Sequence, residues 1–524
     1  MIRTATLIGA ILLGLFIGRL VGGFVLTVIA AVGPVGPRVS IPVLVVTSLL
    51  GGLVGILRWR RWWPDGAVSD AHGSARFSRE EEIARTLSGD EGLIVGRSMR
   101  GKLLRYNGPA HLLTIAPSQA GKGVGTIIPN LLTLRRSVLC VDPKGENTRI
   151  TAAARARMGP VFVLDPFDVS RQTCAAFNPL SALDPDSLDL VDDVAAIAEA
   201  LVYDPPGQTG EAHWNEEAKA LISGVILHVV TTAPEYLRSL ITVRDLLTAA
   251  PDAFAKMLKA MQDSGAAGGL VARAANRHLG KSDREAAGVL SAAQRHTHFL
   301  DSPRMARVLE RSDFSLSELQ TGLLTVFLVL PPERLRTHAR WLRLMVVQTI
   351  GALARGPVGA GRNGPDVLLM LDEFAALGHL EPIERAFGLM AGYGVQIWAI
   401  LQDLHQLKSA YGDHAGTFLA NARVIQVFNV ADIDTATWVS RSLGVTTEVY
   451  STSGQSKSQA GDKLFSTHGA STNVNLARRD LLTPDEVMRI GPGSLILLRP
   501  GANPTLARKV RYYLDREFEG LFQE

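Results

Sequence analysis

A chain of 524 residues exceeds what a single hydrophobic core organises, so it has to divide into domains. Its sequence pI of about 9.0 invites a nucleic-acid reading, but the excess sits at the front: residues 1–64 carry six basic residues and no acidic one, leaving 48 basic against 50 acidic in the rest. That excludes a soluble portion that holds nucleic acid by net charge, so any DNA-contacting surface there has to be a local stripe or ring.

Leu7 to Ala31 is an apolar run interrupted by one charge, Arg19. At about 1.5 Å per residue it reaches ~37 Å, enough to cross a hydrocarbon core of ~30 Å with tilt. Gly33-Pro34-Val35-Gly36-Pro37 forces a turn, and Ile41 to Leu57 is a second, shorter run of ~26 Å. Together they predict a transmembrane hairpin over residues 1–63. Arg58, Arg60 and Arg61 follow it with Trp59, Trp62 and Trp63 interleaved, which puts everything downstream in the cytoplasm. The apolar run is too long for a cleavable signal core, and Arg19 would break one. Gly14, Gly18 and Gly22 fall on one helix face; that spacing permits close helix approach, or simply reflects how common Gly is in such helices. Arg19 belongs against a partner helix or a protein interior rather than lipid.

His111-Leu-Leu-Thr-Ile-Ala116 reads as a buried parallel strand, and Pro117-Ser118-Gln119-Ala120-Gly121-Lys122-Gly123-Val124 follows as a phosphate-cradling loop opening a helix. Lys122 is the candidate for the β- and γ-phosphates. The loop departs twice from the pattern GxxxxGK[ST]: Ala116 replaces the first Gly, and Gly123 replaces the hydroxyl that normally touches Mg²⁺. The metal then needs water or a nearby threonine. Cys140, in the run Ser137–Asp142, reads as a small core residue, and with Cys174 as one of two reduced structural thiols. Asp142 and Lys144 end a strand expected beside the P-loop strand, with a structural or nucleotide-adjacent role open.

From Leu183 to about Asp313 strand-like runs give way to helical patterns such as Trp214–Val230 and Asp283–Phe299. His213-Trp214-Asn215-Glu216-Glu217, His296 and His298 lack metal-ligand spacing and read as solvated or capping groups. Strands resume at Leu323–Leu330. Asp366-Val-Leu-Leu-Met-Leu-Asp372-Glu373 is an apolar strand ending in two carboxylates: Asp372 suits Mg²⁺ through a water network, and Glu373 the base that orients a hydrolytic water. A further strand, Val395–Leu401, ends at Gln402, placed to sense a γ-phosphate. Ser451 to Asp462 reads as a flexible polar loop.

In this order the pieces resemble the type IV secretion coupling proteins of the TraG/TraD kind. The resemblance covers nearly the whole chain: the hairpin, His72-Gly-Ser-Ala-Arg-Phe77, the loop running on to Ile128-Pro129, Asp142-Pro-Lys-Gly-Glu146, Leu164-Asp-Pro-Phe167, Phe177-Asn-Pro-Leu180, Leu371-Asp-Glu-Phe374, Ala391-Gly-Tyr-Gly394, Gln402-Asp-Leu-His-Gln-Leu407, Leu481-Leu-Thr-Pro-Asp-Glu486 and Tyr512-Tyr513. It implies an α/β, RecA-like P-loop domain split by an all-α domain behind the membrane hairpin. The corresponding division is 1–63 hairpin, 64–182 first nucleotide-binding part, 183–315 all-α domain and 316–524 second nucleotide-binding part.

The resemblance further implies ATP and Mg²⁺ as ligands and the bacterial inner membrane as location. It implies a homo-oligomeric ring of six that hands DNA, relaxosome or effector-protein substrates to a secretion channel. A Gly after the P-loop Lys is a common variant in such proteins. Where some relatives carry a basic residue before Gly392-Tyr393-Gly394, this chain has Ala391, which leaves Arg385 or Arg423 as trans-acting arginines. With no long acidic tail after Tyr513, substrate selection falls to the all-α domain or to adaptors. An FtsK-type translocase would bring more spans and a winged-helix module, which this sequence lacks. A scaffold that binds nucleotide without turnover would not need Lys122, Asp372 and Glu373 together.

Overall fold

The computed structural model describes residues 2–62, 70–87, 89–203, 212–356, 367–458 and 467–523. They group into two units, one of residues 1–74 with 445–479 and one of residues 75–444 with 480–524.

In the first unit, Ile2–Ala30 and Pro37–Trp62 are helices joined through Gly33–Gly36. Each contains a stretch long and apolar enough to cross a membrane, Thr6–Ala30 and Pro37–Trp59. The second is longer than the apolar run alone predicts because Pro37, tolerated at a helix start, begins the helix four residues early. Trp59 Nε1 donates to Thr6 Oγ1 at 3.3 Å, so both outer ends lie at one level, as in a hairpin. The Gly spacing has a packing reason. A Cβ on Gly14 would lie 2.3 Å from the Gly51 carbonyl oxygen, and one on Gly18 would lie 2.2 Å from that of Thr47. Arg19 is exposed. Trp63 lies outside the described residues, as do the side chains of Arg60, Arg61 and Trp62.

The same unit holds a two-stranded sheet of Val445–Ser458 and Thr467–Asp480. Residues 451–458, read from sequence as loop, are therefore strand. The segment opens with the β-branched pattern Val445-Thr-Thr-Glu-Val-Tyr450, and pairing with the Thr/Asn-rich partner overrides the low hydrophobicity of residues 451–458. Residues 459–462 of that reading lie outside the described part.

The second unit is built on one eleven-stranded sheet. Numbered in chain order, the strands are β1 Leu93–Arg97, β2 Leu103–Tyr106, β3 Leu112–Ile115, β4 Ser137–Asp142, β5 Val161–Leu164, β6 Thr325–Val329, β7 Val367–Leu371, β8 Val395–Leu401 and β9 Val424–Val427. The strands of the first unit's hairpin are β10 and β11, and β12 Ser494–Leu498 and β13 Thr505–Arg508 complete the large sheet. Its order is β2-β1-β13-β12-β9-β3-β8-β7-β4-β6-β5. The seven from β9 to β5 run parallel; β12, β13, β1 and β2 extend them antiparallel.

Both faces of the parallel part are covered, which is why its strands read as continuous apolar runs. Leu139, Val141, Leu369, Leu371, Ile397 and Ala399 face one core. Val138, Cys140, Leu368, Met370, Trp398 and Ile400 face the other, against Ile127 and Leu131 of the helix after the P-loop. Cys140 is buried and both cysteines are unbridged. Between β5 and β6 the major described elements are helices, among them Leu190–Leu201, Ala212–Thr232, Leu240–Leu247, Pro251–Gln262 and Asp283–Thr297.

β4 is not beside the P-loop strand. β8 and β7 stand between β3 and β4, so Asp142 sits two strands further out than the order of the motifs suggests.

Candidate nucleotide site

In a parallel sheet, loops at the carboxyl ends of neighbouring strands share one crevice. Here β3, β8 and β7 are adjacent, and their carboxyl ends deliver the P-loop, Gln402 and Asp372-Glu373 to one edge. The P-loop begins where the Ala116 amide donates to the Leu401 carbonyl at 2.8 Å. Gln119 (φ 62°) and Gly121 (φ 87°) both take left-handed conformations, which turn the loop back toward its own helix. A Cβ on Gly121 would meet nothing within 4 Å, so glycine serves the backbone angle there rather than crowding.

The helix opens with a wide turn over Gly123–Ile127 before becoming α-helical at Ile128–Thr133. Pro129 is the local cause: it has no N–H for the Gly125 carbonyl, and its ring would press on that oxygen in a regular turn. A buried polar network holds this helix to the sheet. Thr114 Oγ1 and Thr126 Oγ1 both donate to Gln426 Oε1, at 2.7 and 3.2 Å, and Gln426 Nε2 donates to the Val95 carbonyl at 2.7 Å. Asn130 exchanges hydrogen bonds with both backbone groups of Ile94. Thr126 is thus turned into the core, so its hydroxyl does not stand in for the missing P-loop hydroxyl.

Lys122 Nζ lies 2.8 Å from Asp372 Oδ1 and 3.5 Å from Glu373 Oε2, with all three side chains mostly covered. Burial works against the Lys122 ammonium, but the two carboxylates outweigh it and hold its pKa above the ordinary lysine value. Burial pushes the Asp372 carboxyl up, and Lys122 offsets this only in part. Glu373 stands at φ 62°, ψ 48°, a left-handed conformation costing ~1–2 kcal/mol for a residue with a Cβ. That turn aims its carboxylate along the edge toward β8. There Gln402 Nε2 donates to both oxygens, at 3.0 and 3.2 Å, while Ser118 Oγ reaches Gln402 Oε1 at 3.5 Å. Gln402 is itself fixed, since its amide donates to Gln406 Oε1 at 2.9 Å and the next residue, Asp403, caps helix Leu404–Tyr411.

Lys122, Asp372, Glu373, Gln402 and Ser118 are therefore joined directly, while Pro117, Gln119, Ala120, Gly121, Gly123 and Val124 form the loop around them. Asp366 lies outside the described residues. Asp142 does not join the cluster: it accepts from the Thr148 amide and hydroxyl, both at 2.8 Å, and so holds the start of helix Glu146–Ala156. Arg385 is exposed on helix Glu381–Leu389, facing Glu381 at 3.8 Å. Arg423 sits just before β9, its amide on the His111 carbonyl, at the opposite end of the strands from Lys122.

Arg343 carries no motif, and no local pattern marks it out. From helix Pro332–Ala354 it donates to the carbonyls of Leu377 and His379, both at 2.6 Å, and of Ala200 at 3.3 Å, with its guanidinium 4.1 Å from the Tyr203 ring. It ties the turn that follows Glu373 to the end of the first inserted helix, Leu190–Leu201.

A family model for type IV secretory system conjugative DNA transfer matches residues 67–523. The chain belongs to that family. It is 31% identical over 534 residues to a conjugal transfer protein TraG of Escherichia coli, covering 94% of this chain and 82% of that one. It is 28% identical over 478 residues to protein VirD4 of Agrobacterium fabrum, covering 86% and 67%. Its fold is similar to that of the plasmid coupling protein TrwB, solved in complex with ADP and Mg²⁺. That match has a TM-score of 0.61 at 17% identity and covers 83% of this chain and 94% of TrwB. The likeness bears on the fold: a RecA-like parallel sheet flanked by helices.

Proposed function

We propose that this chain is an inner-membrane ATPase that recruits DNA–protein (relaxosome) or protein substrates and delivers them to a type IV secretion channel. Membership of the family described as type IV secretory system conjugative DNA transfer supports this reading. The observation that carries the motor reading is the meeting of Lys122, Asp372, Glu373 and Gln402 at one sheet edge from three separate loops.

In this reading, residues 117–124 cradle the phosphates of ATP, and Asp372 holds Mg²⁺ through water. Bound Mg²⁺ would supply charge neutralisation at the phosphates. Lys122 keeps two adjacent carboxylates compensated until phosphate competes for its ammonium. Glu373 is the base for the attacking water, and its lone pairs are here taken up by Gln402 and Lys122. A γ-phosphate that draws the Gln402 amide away would free the base, so Gln402 both reads the nucleotide and gates Glu373. The left-handed turn at Glu373 and the Arg343 contacts behind it give that change a path to the inserted helices.

The domain division 1–63, 64–182, 183–315 and 316–524 belongs to the same proposal, as do the ring of six, DNA as cargo and a trans-acting Arg385 or Arg423. Two helices long and apolar enough to span support the membrane anchor, with the Arg58–Arg61 end cytoplasmic. Lys122→Ala and Glu373→Gln should each abolish substrate transfer while leaving membrane insertion intact. Unchanged transfer in both variants rules out the motor role. Absence of ATP turnover with and without single-stranded DNA would instead indicate a nucleotide-binding scaffold.

A further inference from the structure

The antiparallel extension of the sheet ends beside the P-loop. β13 finishes at Arg508, and the next residue, Lys509, donates from Nζ to the Ala120 carbonyl at 2.7 Å and to Asn429 Oδ1. Its ammonium lies 4.9 Å from the centre of the Phe428 ring. Every partner is neutral: a carbonyl, an amide and a ring face. Lys509 forms no ion pair among the described residues, and the charged group that bears on it is Arg511, of like sign. The P-loop residues 117–124 include no acidic residue, and Asp432, in the turn after β9, accepts from the Thr435 amide as the cap of helix Ile433–Leu443.

The residues around Lys509 are held tightly. Asn429 takes φ 37°, a left-handed conformation uncommon for a residue with a Cβ, and its Nδ2 donates to the Ile490 carbonyl at 3.4 Å. Val510 is buried, and its carbonyl oxygen would lie 3.0 Å from a Cβ on Gly125, so the C-terminal segment presses on the first turn of the P-loop helix. A half-buried cation with neutral partners is a poor choice for stability alone, since a neutral side chain would accept burial at lower cost. Burial first, and Arg511 second, bring its pKa down to about 8.

We propose that Lys509 is a positioning residue of the nucleotide site whose positive charge is matched only when a nucleoside di- or triphosphate occupies the P-loop. By holding the Ala120 carbonyl it fixes the turn that presents Gly121 and Lys122 to the phosphates. The inference rests on the nucleotide site proposed for residues 117–124. Binding of the anion favours the protonated lysine, so affinity falls as pH rises through the free lysine's titration. Lys122, held above the ordinary lysine value, stays charged across that range.

The test uses the full-length chain in detergent, with ADP and Mg²⁺ followed by calorimetry at about pH 7.5 and about pH 9.5. Between these the wild type should weaken on the order of tenfold. Lys509→Arg, which stays charged, should lose most of that pH dependence. Lys509→Gln should bind weakly at both pH values, with the arginine variant deciding the matter if the glutamine variant does not fold. A Lys509→Arg profile equal to the wild type, or wild-type affinity in folded Lys509→Gln, overturns the inference. If the wild type binds no ADP, or Lys122→Ala binds as well as it does, the nucleotide site itself falls and Lys509 with it.

Discussion

Removing Lys122 should destabilise the protein in the absence of any nucleotide. At 2.8 Å from Asp372 and an effective dielectric of ~20, the gross attraction is ~6 kcal/mol. Desolvation of two groups whose side chains are only 18% and 13% exposed takes back much of that. Breaking a covered pair from one side costs ~3–5 kcal/mol, and the residual exposure places Lys122→Ala near ~3 kcal/mol. Asp372→Asn should cost less, because Lys122 keeps Glu373 at 3.5 Å. The double variant should fall short of the sum by ~2 kcal/mol.

The effect also has a sign in pH. Without Lys122 the Asp372 carboxyl, already raised by burial, rises further. The folded variant then binds a proton that its unfolded chain releases, so the deficit shrinks as pH falls. Urea unfolding of the full-length chain in detergent at about pH 7.5 and about pH 5.5 measures both effects. Equal midpoints for wild type and Lys122→Ala at neutral pH, or strictly additive losses, would refute a stabilising Lys122–Asp372 pair.

Gly123→Ser should fold normally, because a Cβ there meets only Asn147 Oδ1 at 3.8 Å. By restoring the missing hydroxyl it should lower the Mg²⁺ concentration needed for nucleotide binding, read by titrating Mg²⁺ at fixed ADP. Arg343→Met strips a donor from three carbonyls, two of them buried, and should cost on the order of 3 kcal/mol in urea unfolding, though it touches neither nucleotide nor P-loop; a loss under about 1 kcal/mol counts against its tying role. Two buried groups titrate in opposite senses. Burial raises Asp142 to about 6, so its folded form gains stability as pH falls, whereas burial lowers His111 to about 4, so its contribution is lost as pH falls below the ordinary histidine value. Asp142→Asn should therefore steepen the loss of stability between about pH 6.5 and about pH 4 by roughly 3 kcal/mol; an unchanged slope contradicts it.

The chemistry is legible in sequence because it is written in local patterns. An apolar run ending at Ala116 with Gly121-Lys122 in the loop behind it, another ending in Asp372-Glu373 and a third ending in Gln402 each announce a strand that leads into polar chemistry. Their meeting at one edge is not local. Nothing in Ser137–Asp142 says that two strands separate it from β3, so sequence order alone sets Asp142 on a strand beside the P-loop strand, whereas in the fold it lies beyond β7 and holds the start of a helix. Gln426 lies about 300 residues from the Thr114 and Thr126 it joins, and buried glutamines have no periodicity. Arg343 reads as one more charge on a helix until its carbonyl partners are brought to it by the fold. The β10–β11 pair escapes a sequence reading because serine, glycine and glutamine look like linker until a partner strand is supplied. Arg19 remains exposed on the hairpin, where a charge in a bilayer calls for a partner.

The central claim is that Glu373 turns a bound nucleotide over. It is tested most directly by measuring ADP binding and ATP turnover side by side in the purified wild type and Glu373→Gln. Nucleotide affinity should be kept and turnover should drop at least about a hundredfold, the scale of a general base. Wild-type turnover in Glu373→Gln, with binding intact, would contradict that role.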